Sequence, residues 1–92
     1  MTYTVYLIIN LDKKPFYTYV GFTKDLKNRL KEHNSSKGAK FTRGRLWKLI
    51  YKEKYELKID AMRNEYKLKK DKSKRKKIKI DYLKKINLFQ WI

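Results

Sequence analysis

Two runs of β-branched and aromatic residues, separated by a short turn, constrain this chain more than anything else in it. Thr2 to Asn10 (TYTVYLIIN) and Phe16 to Phe22 (FYTYVGF) both have the composition of strands. Between them, Leu11 to Pro15 (LDKKP) is turn chemistry: an Asp, then a Pro that cannot donate to a ladder. A link this short predicts an antiparallel hairpin. Gly21, near the end of the second run, predicts a close backbone approach or a bend.

The remainder supplies what covers such a hairpin. Thr23 is a suitable N-cap for a helix from about Lys24 to Asn34. Ser35 to Gly44 (SSKGAKFTRG) reads as a loop. Arg45 to Tyr55 alternates, with Trp47, Leu49 and Tyr51 on one side and Lys48, Ile50 and Lys52 on the other, and predicts a third strand. From Leu57 to Lys70 the period becomes helical, with Ala61, Met62, Glu65 and Leu68 on one side. Asp71 or Ser73 is suited to cap a third helix, from about Lys74 to Ile86, with Ile78, Tyr82 and Ile86 in a row. The apolar tail, Asn87 to Ile92, is expected to pack back on the body. The order β-β-α-β-α-α predicts an α+β fold: a small three-stranded antiparallel sheet flanked by helices.

With 92 residues, no repeat and no linker, one domain spanning 1–92 is expected. Burial alone stabilises so small a domain only marginally. There is no cysteine and a single histidine, which excludes disulfides, thiolate metal sites and a His-rich zinc site. Lys and Arg number 26 against 9 acidic residues, a formal net charge of +17. Solubility asks for only about 2–8 in a small domain. The excess repels itself in the compact state, so it points to a polyanionic partner, nucleic acid ahead of anionic membrane. A taste for Lys, Ile, Asn and Tyr fits an AT-rich genome, which explains Lys over Arg but not the excess. No run approaches the roughly 20 apolar residues of a membrane span, and Met1 to Ile9 lacks the features of a targeting segment. A soluble protein of the reducing cytoplasm is the expectation.

Several polar groups sit on stripes that otherwise pack. Leu26, Arg29, Leu30 and His33 share one face of the first helix. Glu65 lies four residues after Ala61 and three before Leu68, where a carboxylate is costly to bury unless paired or metal-bound. Tyr6 shares a strand face with Thr4 and Ile8, and Tyr19 lies on the hairpin partner. Singly, each has an ordinary explanation. A strand tyrosine is usually core, Arg29 a snorkelled surface residue, His33 a charge at a helix C-terminus, and Glu65 the i,i+4 partner of Lys69. Singly the ordinary explanations win; the joint arrangement points further toward a site than any one residue does.

These residues also resemble a known family. Val5-Tyr6 and Tyr19-Val20-Gly21 look like the GIY and YIG elements of GIY-YIG nucleases. Arg29 and His33 in NRLKEH, KGAKFTRGR from Lys37 to Arg45, and Glu65 in MRNEYKLKK follow in the family's order. The likeness covers about residues 3 to 80 and is nearest to small stand-alone members similar to the nuclease domain of the UvrC excision-repair protein. The first triplet departs from the pattern, reading Thr4-Val5-Tyr6. Nothing in the chain reads as a separate target-recognition domain, so little sequence specificity is expected.

The resemblance implies an endonuclease that hydrolyses DNA phosphodiester bonds. Tyr6 would be the general base, its phenol brought down from the ordinary value of about 10 by a cationic site. His33 would accept the Tyr6 proton or orient its hydroxyl, Arg29 would hold the scissile phosphate, and Tyr19 would orient water or phosphate. Glu65 would hold one Mg²⁺ or Mn²⁺. Asp60 and Asp81 are the candidates for a second ion, with nothing to place them near Glu65. Lys37, Lys40, Arg43 and Arg45, with Gly38 permitting close approach, would clamp DNA. Lys67, Lys69, Lys70, Lys74, Arg75, Lys76 and Lys77 would form one electrostatic patch on backbone phosphate. Branched, flapped or damaged DNA, as in repair or recombination, is the expected substrate, and RNA suits the same charge. The rival reading is a non-catalytic nucleic-acid-binding module on the same scaffold. Charge supports both; a carboxylate on an apolar stripe favours the enzyme. A basic helix on a membrane surface is disfavoured, because the last helix lacks a wide apolar face.

Overall fold

Strand β1 (Tyr3–Asn10) is buried without interruption from Thr4 to Asn10, which is possible only where both faces of a strand are covered. It is the centre of the sheet. β2 (Thr18–Thr23) pairs antiparallel on one side and β3 (Trp47–Tyr55) on the other, giving the order β2-β1-β3. Helix α1 (Leu26–Asn34) precedes β3; α2 (Lys58–Lys70) and α3 (Lys72–Lys85) follow it. The computed structural model describes residues 2–87. The expectation for the tail falls, from residue 88 onward, outside them. The architecture is the α+β sheet with flanking helices that the element order predicts.

The helices divide between the faces. On one, Tyr6, Ile8 and Trp47 pack with Tyr19, Leu49 and the α1 residues Leu26 and Leu30. On the other, Val5, Leu7 and Val20 pack with Ala61 and Leu68 of α2 and Ile78 of α3. β3 does not alternate as its sequence suggests. Its register with β1 slips between Leu7, opposite Tyr51, and Ile8, opposite Leu49. One extra residue, Ile50, reverses a period of two. Trp47 and Leu49 therefore share the Tyr6 face, while Tyr51 joins Ile50 on the Val5 face.

Local chemistry corrects several boundaries. The hairpin connection is organised by Asn10, not by Asp12 and Pro15 alone. The buried Asn10 amide donates to the carbonyls of Lys13 (2.8 Å) and Pro15 (3.3 Å), and its oxygen accepts from the Tyr17 N–H at 2.8 Å. This loop chemistry delays β2 to Thr18. The cap of α1 is Asp25 rather than Thr23: its carboxylate accepts from the Asn28 N–H at 3.1 Å, while Thr23 Oγ1 accepts from the Asp25 N–H. Asp71 caps α3, accepting from the Lys74 N–H at 3.0 Å, so that helix starts at Lys72. On α2, Met62 is 49% exposed, because the buried stripe narrows to Ala61 and Leu68. On α3 the fully buried residue is Leu83; Ile78, Tyr82 and Ile86 are only half-buried.

Candidate active site

Gly21 is the cross-strand partner of Tyr6. A Cβ at position 21 would run into the Tyr6 Oη and Cζ atoms, so the glycine is what admits the phenol. The Tyr6 ring is buried (1% exposed), and its oxygen lies 2.8 Å from His33 Nε2. His33, fully buried on α1, places Nδ1 2.9 Å from Thr42 Oγ1. Thr42 belongs to a single 3₁₀ turn, Lys40–Thr42, and its hydroxyl donates to the Ala39 carbonyl at 2.8 Å.

That last bond sets the direction of the whole chain. A threonine hydroxyl has one proton, and here the Ala39 carbonyl takes it. The Thr42 oxygen must then accept from His33 Nδ1–H. Nε2 is left as the acceptor, and Tyr6 donates to it. The tautomer is assigned by the network, which leaves no buried side-chain nitrogen or oxygen without a partner among the described residues.

The loop reaches His33 because two contacts hold it. Asn34, at the end of α1, brackets the start of β3 by donating to the Trp47 carbonyl and accepting its N–H. Trp47 Nε1 donates to the Thr42 carbonyl at 2.9 Å. Gly38 then passes over His33, where a Cβ would stand 2.6 Å from Nδ1. The close approach that Gly38 permits is therefore to the histidine ring.

Electrostatics keep the pair neutral. Burial lowers the His33 pKa below its ordinary value, Arg29 adds to that, and Glu32 opposes it. Burial pushes the Tyr6 phenol up to about 12, against the hydrogen bonding and positive charge of Arg29. The charges of Tyr19 and Glu65 raise it further. The expectation of a depressed phenol is thus corrected: desolvation outweighs the one guanidinium near it. Arg29 stands between Tyr6 and Glu32, pairing with the latter at 3.1 Å.

Tyr19 turns an edge to the His33 ring, centroids 5.2 Å apart, and stacks on Phe41 at 6.1 Å. Glu65 is half-buried on α2 and pairs with Lys69 at 3.5 Å, the ordinary partner anticipated for it. No cluster of three or more His, Cys, Asp or Glu that could hold a metal exists among the described residues. Glu65 would offer a hard cation one carboxylate, leaving the rest of its coordination to water.

The structure brings Tyr6, Tyr19, Arg29 and His33 together, while Glu65 pairs with Lys69 and acts on Tyr6 only through its charge. Thr42, inside the KGAKFTRGR stretch, carries no sequence signal of its own, because its contact with His33 exists only once the loop folds back over α1. Lys52 carries none either: register sets it beside Tyr6, on the same face. The basic residues do not form one patch. Lys37, Lys40 and Arg43 are exposed on the loop, and Arg45 lies over the Tyr17 ring at 4.5 Å. Lys69 and Arg75 line a groove with Tyr19 and Phe41, whereas Lys67 and Lys74 line a pocket beside Val5 and Tyr51 on the opposite face. Lys70 lies over Tyr66, and Lys76 and Lys77 are exposed on α3. A helix distributes successive residues around its axis, so a run of lysines cannot share one face.

The chain is similar in sequence to several known proteins. A UPF0213 protein of Streptococcus agalactiae is 46% identical over 67 residues, 72% of this chain and 73% of that protein. A UPF0213 protein of Halobacterium salinarum is 46% identical over 52 residues, 55% of this chain and 68% of its own. The solution NMR structure of a UPF0213 protein from Bacillus halodurans aligns with 36% identity and a TM-score of 0.45, covering 89% of this chain and 85% of the other. The model of the GIY-YIG catalytic domain matches residues 2–79, a span that holds every member of the Tyr6–His33–Thr42 chain as well as Arg29 and Glu65, and the protein accordingly belongs to the GIY-YIG nuclease-type family.

Proposed function

We propose that the protein is a divalent-metal-dependent endonuclease that hydrolyses DNA phosphodiester bonds, and that it nicks or cuts branched, flapped or damaged DNA. The observation that carries this reading is the directed hydrogen-bond chain Tyr6 → His33 → Thr42 → Ala39. A tyrosine that only fills a core needs one partner for its hydroxyl; it does not need that partner's tautomer held by a second buried residue.

The chemistry follows from the direction. Tyr6 donates to His33 Nε2, so its oxygen keeps a lone pair for a water proton. With its pKa raised to about 12, Tyr6 holds no standing phenolate near neutral pH. It acts as base only by passing its own proton to Nε2 as it takes one from water. The water oxygen forms the new bond to phosphorus and the bond to the 3′ oxygen breaks, leaving a 5′-phosphate; the 3′ oxygen is protonated from solvent. Nδ1–H stays on Thr42, so the imidazolium is held in place. Arg29, partly engaged with Glu32, has donors in a planar fork suited to the non-bridging oxygens and offsets the charge gathering there. Tyr19 packs beside His33 and orients the water or phosphate. Mg²⁺ or Mn²⁺ held by Glu65 in exchange for Lys69 would supply Lewis-acid stabilisation of the leaving 3′ oxygen.

The test is cleavage of a panel of flapped, branched and paired DNA, with and without Mg²⁺. Cutting is expected with the ion, with a loss of at least about 10²-fold in Tyr6→Phe and in Glu65→Ala, the scale of general-base removal. Cleavage that survives both substitutions would overturn the assigned roles. Binding without cutting under any divalent ion would establish the non-catalytic module instead.

A further inference from the structure

Phe41 and Tyr17 present their rings to solvent, 52% and 40% exposed, and they do so together. Tyr17 meets Phe41 edge-on at 5.5 Å, Phe41 stacks on Tyr19 at 6.1 Å with 19° between planes, and the Arg45 guanidinium lies over Tyr17 at 4.5 Å. Phe41 touches the adjoining cluster of Tyr6, Ile8 and Trp47 through the Trp47 ring, centroids 6.3 Å apart, yet leaves half its surface in solvent. Beside the rings runs an open groove of about 250 Å³ that Phe41 and Tyr19 share with Lys69 and Arg75. Its charged lining is cationic, with no carboxylate.

We propose that this aromatic cluster is a stacking platform for an unpaired base of the DNA strand being cut, with the flanking phosphates taken by Arg45, Lys69 and Arg75. The proposal rests on the nuclease reading above and narrows its substrate. Lys69 also pairs with Glu65 at 3.5 Å, but exposed rings beside a groove lined by Lys69 and Arg75 suit a ligand that alternates flat π-faces with negative charge, which is single-stranded nucleic acid. A paired base has both faces occupied by its neighbours, so the platform discriminates against intact duplex. Its position also matters. Phe41 precedes Thr42 in the same one-turn helix, and Thr42 holds His33. A base on Phe41 is therefore registered against the proton-transfer chain through a single peptide unit, and Tyr19 touches both the Phe41 and the His33 rings.

The experiment uses the full chain in EDTA, so that binding is read without cleavage. 2-Aminopurine is placed in a single strand, in a flap and in a duplex of equal length. Wild type is expected to quench the single-strand and flap probes and to prefer them over duplex. Phe41→Leu should abolish the quench and reduce the preference about tenfold or more, and Phe41→Tyr, which keeps a ring, should restore both. An unquenched probe with wild type, or a loss in Phe41→Leu equal on all three DNAs, would overturn the platform. A parallel Mg²⁺ arm separates the two readings. Quenching without cleavage of any DNA would sink the nuclease and leave the platform; cleavage of flap and duplex alike without quenching would do the reverse.

Discussion

At the scale of the residue, the protein turns on one threonine proton. Because Thr42 gives it to Ala39, His33 is held in the Nδ1–H tautomer and Tyr6 is held as a donor. In the proposed mechanism His33 must stay neutral to receive the Tyr6 proton. Around it stand Tyr6 on β1, Tyr19 on β2, and Arg29 and Glu32 on its own helix. Burial and Arg29 outweigh Glu32, so its folded pKa lies below the unfolded value of about 6.5. The sign follows: a depressed folded pKa contributes stability that is complete above about pH 6.5 and is lost as pH falls toward the folded pKa. Wild-type stability, followed by denaturant midpoint, should therefore decline on acidification below about pH 6.5, while cleavage persists until His33 itself protonates. Thr42→Val removes the hydroxyl at constant volume. It strands a buried Nδ1–H at a cost of about 1–3 kcal/mol, and it should lower kcat far more than it raises KM, since binding groups are untouched. Unchanged kcat would remove Thr42 from the chain.

At the scale of the element, the cap residues set where each helix begins, and Asp71 does this at a junction. Its carboxylate caps α3, while its own N–H donates to the Lys67 carbonyl at the end of α2. Arg75 closes the same corner by donating to the carbonyls of Leu68 (3.0 Å) and Lys69 (2.9 Å), satisfying groups that the end of α2 would otherwise leave open. Asp71→Ala should cost about 1 kcal/mol, seen as a lower midpoint at unchanged m-value. Asp71→Asn, which retains the accepting oxygen, should recover most of it. Equal losses in the two would assign the effect to charge rather than to capping.

At the scale of the whole molecule, the net charge of +17 secures affinity for a polyanion, and the fold decides which charges matter. Lys40 is exposed on the turn that carries Thr42, and Lys52 shares the face of Tyr6, whereas Lys74 lines a pocket on the opposite face. If DNA occupies the Tyr6 face, Lys40→Gln and Lys52→Gln should each flatten the log-affinity against log-salt slope by about 1, and Lys74→Gln should leave it alone. Equal effects from all three would mean that the charge acts diffusely, with no defined footprint.

The sequence alone determined what depends on neighbours in the chain. The hairpin, the three helices and the third strand follow from local propensity and periodicity, which act over a few residues. Arg29 and Glu65 were legible for the same reason, each as a polar group on an otherwise packed stripe, whereas Tyr6 and Tyr19 were legible mainly through the GIY-YIG resemblance, with strand placement only permitting it. The tertiary structure decided whatever requires two distant segments to meet. The bulge at Ile50 depends on β3 finding its register on β1, and it alone splits Leu49 from Tyr51. The raised phenol depends on how much of the protein closes over Tyr6, which no motif states. The tautomer of His33 depends on a loop carbonyl six residues farther along being fixed by Thr42, and Thr42 is held there by Trp47 and Asn34. That proton's direction makes the buried Tyr6 a donor to His33, because a hydrogen bond acquires a direction only when every group along it has been placed.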